Sequence, residues 1–242
     1  MISVVIPVLN EEENIKPLVA EISAASVAGA PVEEIIYVDD GSTDGTLTAL
    51  KALQKNKPPL RIIRHDRSCG QSEALWSGIQ AARSELIVTL DGDGQNNPKD
   101  IILLYNAYQA NIAKSTKVMV AGQRAKRNDN WIRRISSRVA NSIRANFLKD
   151  GTRDTGCSLK LFRREDYVSL PYFRHMHRFL PALMMREGVR IIHVDVSHRA
   201  RHHGASKYGT LDRLFVALAD LRGVRWLQKR ARLYPVITED SN

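Results

Sequence analysis

Short apolar runs rich in β-branched residues alternate with helix-length stretches along most of this 242-residue chain. This alternation is typical of a mostly parallel sheet whose strands are joined by crossover helices. The length suits one α/β domain of ordinary size. We therefore predict an α/β fold with strands at 2–8, 34–39, 60–64, 85–91, 117–122, 157–162 and 189–196, and helices at 11–28, 44–55, 71–83 and 98–112.

Positive charge is concentrated in the second half of the chain. Of the 36 Lys and Arg residues, 11 lie in 1–121 and 25 in 122–242, whereas the 26 acidic residues divide as 15 and 11. This asymmetry indicates an anionic partner for the second half, or else simply a soluble basic surface. The sequence has no run of ~18 apolar residues, no basic leader and too few cysteines for a disulfide framework. We expect a cytoplasmic protein without a transmembrane span.

Polar clusters follow three of the predicted strands. The first contains Asn10 and Glu11, the second Asp39 and Ser42, and the third Asp91. Ligands bind beyond the carboxyl ends of strands in open α/β sheets, so these clusters predict one shared site. Each cluster taken alone also has a local interpretation as a helix cap or a turn.

The third cluster is the hardest to explain by local structure. Asp91 and Asp93 follow an apolar strand directly, and their carboxylates would repel each other without a partner. A divalent cation such as Mg²⁺ or Mn²⁺ relieves that repulsion and is commonly shared with substrate phosphates. An Asp-x-Asp triplet by itself is nevertheless often only a turn.

The motifs in combination resemble family 2 inverting glycosyltransferases, and most of all the dolichyl- and polyprenyl-phosphate sugar synthases. The resemblance extends over about residues 2–210, and a chance match of several ordered motifs is improbable. It implies a GT-A type fold at 1–210. We interpret the remaining residues, 211–242, as a basic amphipathic extension. The motifs are Asn10–Ile15, Val38–Thr46, Arg67–Ala74, Asp91–Gln95, Asp154–Cys157, His177–Pro181 and Arg201–Lys207.

The resemblance also implies roles for individual residues. Asp91, Asp93 and Gln95 would form the metal centre, with Asp93 and Gln95 taking part in catalysis. Arg201, Ser206 and Lys207 would belong to a loop that folds over the donor phosphates, where Arg201 and Lys207 assist the leaving group. The nucleotide of the sugar donor, for which we expect UDP, would contact Pro7, Asn10, Glu11, Asp39, Ser42, Asp91 and Ser206.

The acceptor poses a separate chemical question. A lipid phosphate is already an oxyanion and needs only to be positioned, a task that suits Arg124, Arg134 and Arg138. A hydroxyl acceptor would instead need a carboxylate as general base, for which Asp154 is the candidate. Asp154 could equally orient one of the arginines, so a polyprenyl phosphate is the first expectation and a glycan or lipid hydroxyl the alternative.

Two stretches with helical spacing, 131–148 and 211–233, mix apolar and basic residues. Such helices suit the surface of an anionic membrane, but they could also pack on the domain. We expect a protein peripheral to the inner membrane face, and the resemblance implies that it can form homo-oligomers. Two non-enzymatic readings are minor alternatives. A nucleic-acid binder is disfavoured because the acidic clusters would repel a polyanion, and a membrane-surface adaptor leaves Asp91 and Asp93 unexplained.

Overall fold

The computed structural model describes residues 1–55, 58–115, 117–124, 144, 147–152, 154, 156–199 and 211–231. Within these ranges, one sheet contains the strands β1 (Ile2–Val8), β2 (Val32–Asp39), β3 (Leu60–Arg64), β4 (Leu86–Thr89), β5 (Val118–Arg124), β6 (Lys160–Arg163) and β7 (Arg190–Val196). The helices are α1 (Glu12–Val27), α2 (Thr46–Ala52), α3 (Gln71–Ala81), α4 (Ile101–Ile112), α5 (Arg164–Val168), α6 (Leu180–Arg186) and α7 (Leu211–Lys229).

The strand order is β3-β2-β1-β4-β6-β5-β7. Strands β3, β2, β1 and β4 are mutually parallel, β6 runs antiparallel to both of its neighbours, and β7 is parallel to β5. The expectation of a mostly parallel sheet is therefore confirmed. Because β1, β2 and β4 run in the same direction, the loops after them meet at one edge of the sheet.

Helices cover both faces of the sheet, as buried parallel strands require. One face packs against α1, α2 and α4, where Ile15, Leu50 and Leu104 are completely buried. The other face packs against α3, α5, α6 and α7, where Ile79 and Leu183 are completely buried.

The predicted strands and helices are found with shifts of a few residues at their ends. The difference that matters most for the site concerns the strand predicted at 85–91. This strand, β4, ends at Thr89, so Asp91 lies in the loop that follows it. The helix predicted at 98–112 begins with a 3₁₀ turn, Pro98–Asp100, before α4. Most of the stretch 131–148 lies outside the described residues.

Helix α7 packs on the domain through part of its surface. Val224 is completely buried, and the Arg186 guanidinium donates to the carbonyl oxygen of Leu227 at 3.0 Å. Other apolar side chains of the helix stay exposed, notably Leu218 at 41% and Trp226 at 55%. Among the described helices, none combines the length and the apolar character needed to cross a bilayer.

Candidate functional site

The loops after β1 and β2 are joined by hydrogen bonds. Asn10, in the left-handed region at φ 57°, donates its backbone N–H to Ser42 Oγ at 3.0 Å and accepts from the Thr43 N–H through Oδ1 at 2.8 Å. The Ser42 N–H in turn donates to Asp39 Oδ1 at 2.9 Å. Three of the residues predicted to contact a nucleotide are thereby brought together.

Asp39 has one carboxylate oxygen left over. The side chain is completely buried, and Oδ2 has no hydrogen-bond partner among the described residues. The Arg64 guanidinium lies beside it, with Nε 3.9 Å from this oxygen. A buried carboxylate oxygen requires a donor, so this atom suits an N–H group of a ligand such as a nucleotide base.

Pro7 and Glu11 lie beside this group. Pro7 is the residue of β1 paired with Val38 of β2. The Glu11 N–H donates to Thr46 Oγ1 at 2.9 Å, and Glu11 Oε2 accepts from the Asn14 side-chain amide at 2.7 Å. The Glu11 carboxylate therefore already supports the local structure of the loop.

Asp40, which the sequence analysis did not select, anchors the loop before α3. Its carboxylate accepts from the N–H groups of Cys69 and Gly70 at 2.9 and 2.8 Å, from Ser68 Oγ at 2.9 Å, and contacts His65 Nδ1 at 2.7 Å. Burial alone would raise the pKa of Asp40, but these hydrogen bonds outweigh it and lower the pKa. Asp40 is thus a structural carboxylate that shapes the wall of the site.

Asp91 and Asp93 begin the loop after β4, at the same edge of the sheet. Gly92 between them lies against β1, where a β-carbon would come within 2.4 Å of the Val8 side chain, so this position requires glycine. The Asp91 N–H donates to Ser158 Oγ at 3.0 Å, and Asp91 Oδ1 accepts from Gln71 Nε2 at 2.8 Å. Burial, and secondly the charge of Asp93, raise the pKa of Asp91 to about 6.

This carboxylate pair fits a divalent cation. The two carboxylates repel each other, and a positive charge between them would relieve this repulsion. Mg²⁺ and Mn²⁺ prefer such oxygen ligands. Gln95 approaches the pair through its backbone, since its N–H donates to Asp93 Oδ1 at 3.1 Å. That the Gln95 side chain is a metal ligand remains a prediction.

A second group with metal-ligating side chains is found within the described ranges. Asp40, His65 and Cys69 offer atoms within 4.8 Å of one another. The Asp40 oxygens already take part in four hydrogen bonds, and His65 Nε2 is 2.9 Å from Ser77 Oγ. These atoms are engaged in holding the loop, so we do not interpret the group as a metal centre.

Arg124 and Asp154 form a two-pronged ion pair. Arg124 Nε and Nη2 lie 2.5 and 2.7 Å from the two carboxylate oxygens of Asp154, and both side chains are largely buried. The Gly156 N–H also donates to Asp154 Oδ1 at 3.2 Å. An aspartate held in this way is better suited to orienting a guanidinium than to accepting a proton.

Five predicted site residues lie outside the described part of the chain. They are Arg134 and Arg138 of the predicted acceptor site and Arg201, Ser206 and Lys207 of the predicted donor loop.

Two polar groups that share a cavity with Asp91 were not predicted from the sequence. Lys160 at the start of β6 is only 4% exposed, and burial lowers the pKa of its ammonium group. His177 Nδ1 is 2.7 Å from Ser72 Oγ, and burial, followed by the charges of Arg178 and Lys160, lowers the pKa of His177 to about 3. The ring is therefore neutral near pH 7. A lysine inside an apolar strand was the one available signal.

Comparison with known proteins identifies related chains. The family model described as glycosyl transferase family 2 matches residues 3–170. The dodecaprenyl-phosphate galacturonate synthase of Rhizobium johnstonii is 36% identical over 94% of this chain and 67% of its own length. The undecaprenyl-phosphate 4-deoxy-4-formamido-L-arabinose transferase of Aeromonas hydrophila is 32% identical over 87% of this chain and 64% of its own length. The chain thus spans about two thirds of the length of these relatives.

Solved structures support the fold. Glucosyl-3-phosphoglycerate synthase from Mycobacterium tuberculosis, in complex with Mn²⁺, UDP and glucosyl-3-phosphoglycerate, superimposes with a TM-score of 0.67 over 96% of this chain and 80% of that one. The identity is 22%, so this similarity shows the GT-A-like architecture alone. The predicted GT-A type α/β fold is confirmed, and the basic amphipathic extension remains a prediction.

Proposed function

Since the chain belongs to glycosyltransferase family 2, we propose that it transfers a sugar from a nucleotide-sugar to a polyprenyl phosphate with inversion at the anomeric carbon. The observation that carries this proposal is the convergence, at one edge of the sheet, of the Asp91–Asp93 pair and Asp39, whose buried Oδ2 accepts no hydrogen bond from the described residues. A nucleotide and its diphosphate fit this arrangement. The names of both sequence relatives specify a polyprenyl-phosphate product or acceptor.

The donor side follows from the geometry of the loops. Asp39 would accept a hydrogen bond from an N–H group of the base, such as N3–H of uracil. A Mg²⁺ or Mn²⁺ ion held by Asp91 and Asp93 would offset the charge that develops on the leaving diphosphate. Arg201, Ser206 and Lys207 are proposed to add donors over the phosphates.

The acceptor side depends on Arg124. Asp154 fixes the plane of the Arg124 guanidinium, so this cation is pre-oriented for a phosphate oxygen. Arg134 and Arg138 are proposed to complete the acceptor site. A lipid phosphate held there would attack the anomeric carbon in line with the departing diphosphate, and it would need no general base.

A second candidate is transfer to a hydroxyl group with Asp154 as the base. The ion pair disfavours it, because both carboxylate oxygens of Asp154 are already bound by Arg124. The two candidates make opposite predictions for Asp154→Asn. Loss of a general base lowers kcat severely, whereas loss of an orienting partner mainly raises the KM of the acceptor.

The proposed site of action is the cytoplasmic face of a membrane. Leu218 and Trp226 are exposed on α7, and the Arg230 guanidinium lies 4.6 Å from the centre of the Trp226 ring. Exposed aromatic and aliphatic groups beside cations suit the interface of an anionic bilayer. Such contact would bring the enzyme to a lipid acceptor.

Release of nucleoside diphosphate tests the function. The purified protein is given Mn²⁺, a panel of UDP- and GDP-sugars, and a short-chain polyprenyl phosphate. We expect release from a UDP-sugar that requires the lipid phosphate and disappears in Asp93→Ala. Release with a glycan acceptor but not with the lipid phosphate would contradict the proposal. The matched control is Asp66→Ala, because Asp66 is an exposed aspartate that pairs with Arg67 and is not among the predicted site residues.

A further inference from the structure

A short segment ties the edge of the sheet to the chain that follows the carboxylate pair. Residues 197–199, which we call the strap, follow the edge strand β7, and β7 pairs with the strand that ends at Arg124. The strap contacts residues 95–100, and the two segments form an antiparallel bridge between Asn96 and His198. It therefore connects the Arg124 side of the sheet directly to the segment after the metal loop.

Arg199 holds the strap through both its main chain and its side chain. The Arg199 N–H donates to the carbonyl oxygen of Gln95 at 3.0 Å. Nη1 donates to both carboxylate oxygens of Glu21 in α1 at 2.8 Å, and Nη2 donates to Asn97 Oδ1 at 2.8 Å. Charge-assisted hydrogen bonds from a planar guanidinium fix geometry as well as adding energy. The side chain thus joins α1 to the segment after the metal loop.

The other end of the strap is held by a buried carboxylate. Asp100 is 8% exposed, and its Oδ2 accepts from the N–H and from the Oγ of Ser197, both at 2.7 Å. Asp100 directly precedes α4, which packs on the sheet. Because both ends of the strap are attached to packed elements, the strap holds the segment at 95–97 in one position.

Two hydrogen-bonded connections lead from this segment to the carboxylate pair. The Gln95 N–H donates to Asp93 Oδ1 at 3.1 Å. The Asn96 side chain is buried and accepts from Ser158 Oγ at 2.7 Å, and the same Ser158 oxygen accepts from the Asp91 N–H at 3.0 Å. A displacement of the segment would therefore shift both carboxylates.

We propose that Arg199 is a positioning residue for the divalent cation. Bound to Glu21, it holds the segment after the metal loop and so keeps Asp91 and Asp93 turned toward one ion. This inference rests on the proposed function, in which the pair holds Mg²⁺ or Mn²⁺. Arg199 acts through its hydrogen-bond partners and is not itself a ligand. Residues that orient metal ligands in this way commonly contribute about 10- to 100-fold to metal affinity.

Binding of Mn²⁺ tests the inference without turnover. Electron paramagnetic resonance measures free Mn²⁺ in titrations of the wild type, Arg199→Gln, Glu21→Gln and the double variant, in the presence of UDP and, separately, of GDP. We expect Arg199→Gln to weaken Mn²⁺ binding about tenfold. Glu21→Gln should weaken it less, because the bond from Arg199 to Asn97 remains. In the double variant, the loss should equal that of Arg199→Gln alone, since the two residues act through one contact.

The matched control is Arg163→Gln. Arg163 is also a partly exposed arginine with carboxylate partners, Glu85 and Glu165, but it lies at the opposite edge of the sheet, paired with the first residue of β4. This variant should bind Mn²⁺ as the wild type does. Urea denaturation without metal is measured for every variant, and Arg199→Gln should lose Mn²⁺ affinity at a temperature and urea concentration where it is fully folded.

The possible failures are distinguishable. An unchanged Mn²⁺ affinity in Arg199→Gln would overturn this inference and leave the proposed function intact, and so would an equal loss in Arg163→Gln. Independent, multiplying losses in the double variant would show that Glu21 does not act through Arg199 and would also overturn it. If the wild type binds no Mn²⁺, the proposed metal centre itself fails and the inference fails with it. If Arg199→Gln does not fold, Glu21→Gln decides, and an unchanged affinity there overturns the inference.

Discussion

The raised pKa of Asp91 means that this carboxylate destabilises the metal-free protein at neutral pH. Its pKa rises from 3.8 to about 6 because the group is buried beside Asp93. A carboxyl group whose pKa is raised in the folded state destabilises the fold once the pH exceeds the pKa that the group has in the unfolded state. The penalty grows from about pH 4 to pH 6 and is complete above that range. Replacement of Asp91 by Asn removes the charge and should stabilise the metal-free fold.

The expected gain follows from linkage. A shift of about 2 pKa units corresponds to at most about 3 kcal/mol above pH 7 and to about half of that at pH 5. Urea denaturation of the chelator-treated wild type and Asp91→Asn at pH 7.5 and pH 5 measures the difference. The control Asp66→Asn, at an exposed position, should change stability by less than about 0.5 kcal/mol.

Addition of Mn²⁺ should reverse the order of stability at neutral pH, so that the wild type becomes more stable than Asp91→Asn. The cation stabilises the wild type by binding to the ionised pair, whereas the Asn variant lacks one ligand and gains little. A variant that is no more stable than the wild type at pH 7.5 without metal, or whose gain is the same at pH 5, would refute the argument. So would equal stabilisation of both proteins by Mn²⁺.

Further changes test other parts of the site. Asp39→Asn should weaken UDP binding about tenfold in calorimetry with little change in stability, since one charged hydrogen bond to the base is lost; unchanged affinity would exclude Asp39 from base recognition. Arg124→Gln should raise the KM for polyprenyl phosphate about tenfold or more while the KM of the donor stays constant. Asp40→Ala should destabilise the fold by about 1–3 kcal/mol in urea denaturation, because four part-buried hydrogen-bond partners lose their acceptor. Trp226→Ser should reduce cosedimentation with anionic vesicles, and undiminished binding would remove α7 from the membrane contact.

Much of the fold was predictable because its signals are local. An apolar run that ends in charged residues defines a strand and its exit loop, as Leu86–Thr89 and Asp91 illustrate. The parallel arrangement then brings the loops after β1, β2 and β4 together whatever their sequence. For this reason Asn10, Asp39 and Ser42 could be assigned to one site in advance, and the structure joins them by hydrogen bonds.

Other parts of the site depend on contacts between distant segments. Asp40 was not predicted as a site residue, and its role as an anchor appears only when the loop at 68–70 folds over it. Lys160 lies in a short apolar strand, and the residues next to it in the sequence do not show whether it is exposed or buried. It is buried because β6 lies between β4 and β5, where helices cover both faces. No local pattern specifies that position in the sheet.

The chemical identity of the lipid product tests the central claim most directly. The protein, Mn²⁺ and the UDP-sugar that supports diphosphate release are incubated with a polyprenyl phosphate, and the reaction is followed by ³¹P NMR. The account predicts that the signal of the lipid phosphomonoester is replaced by that of a phosphodiester as UDP accumulates. A phosphomonoester that stays unchanged while sugar appears on a hydroxyl group would contradict it.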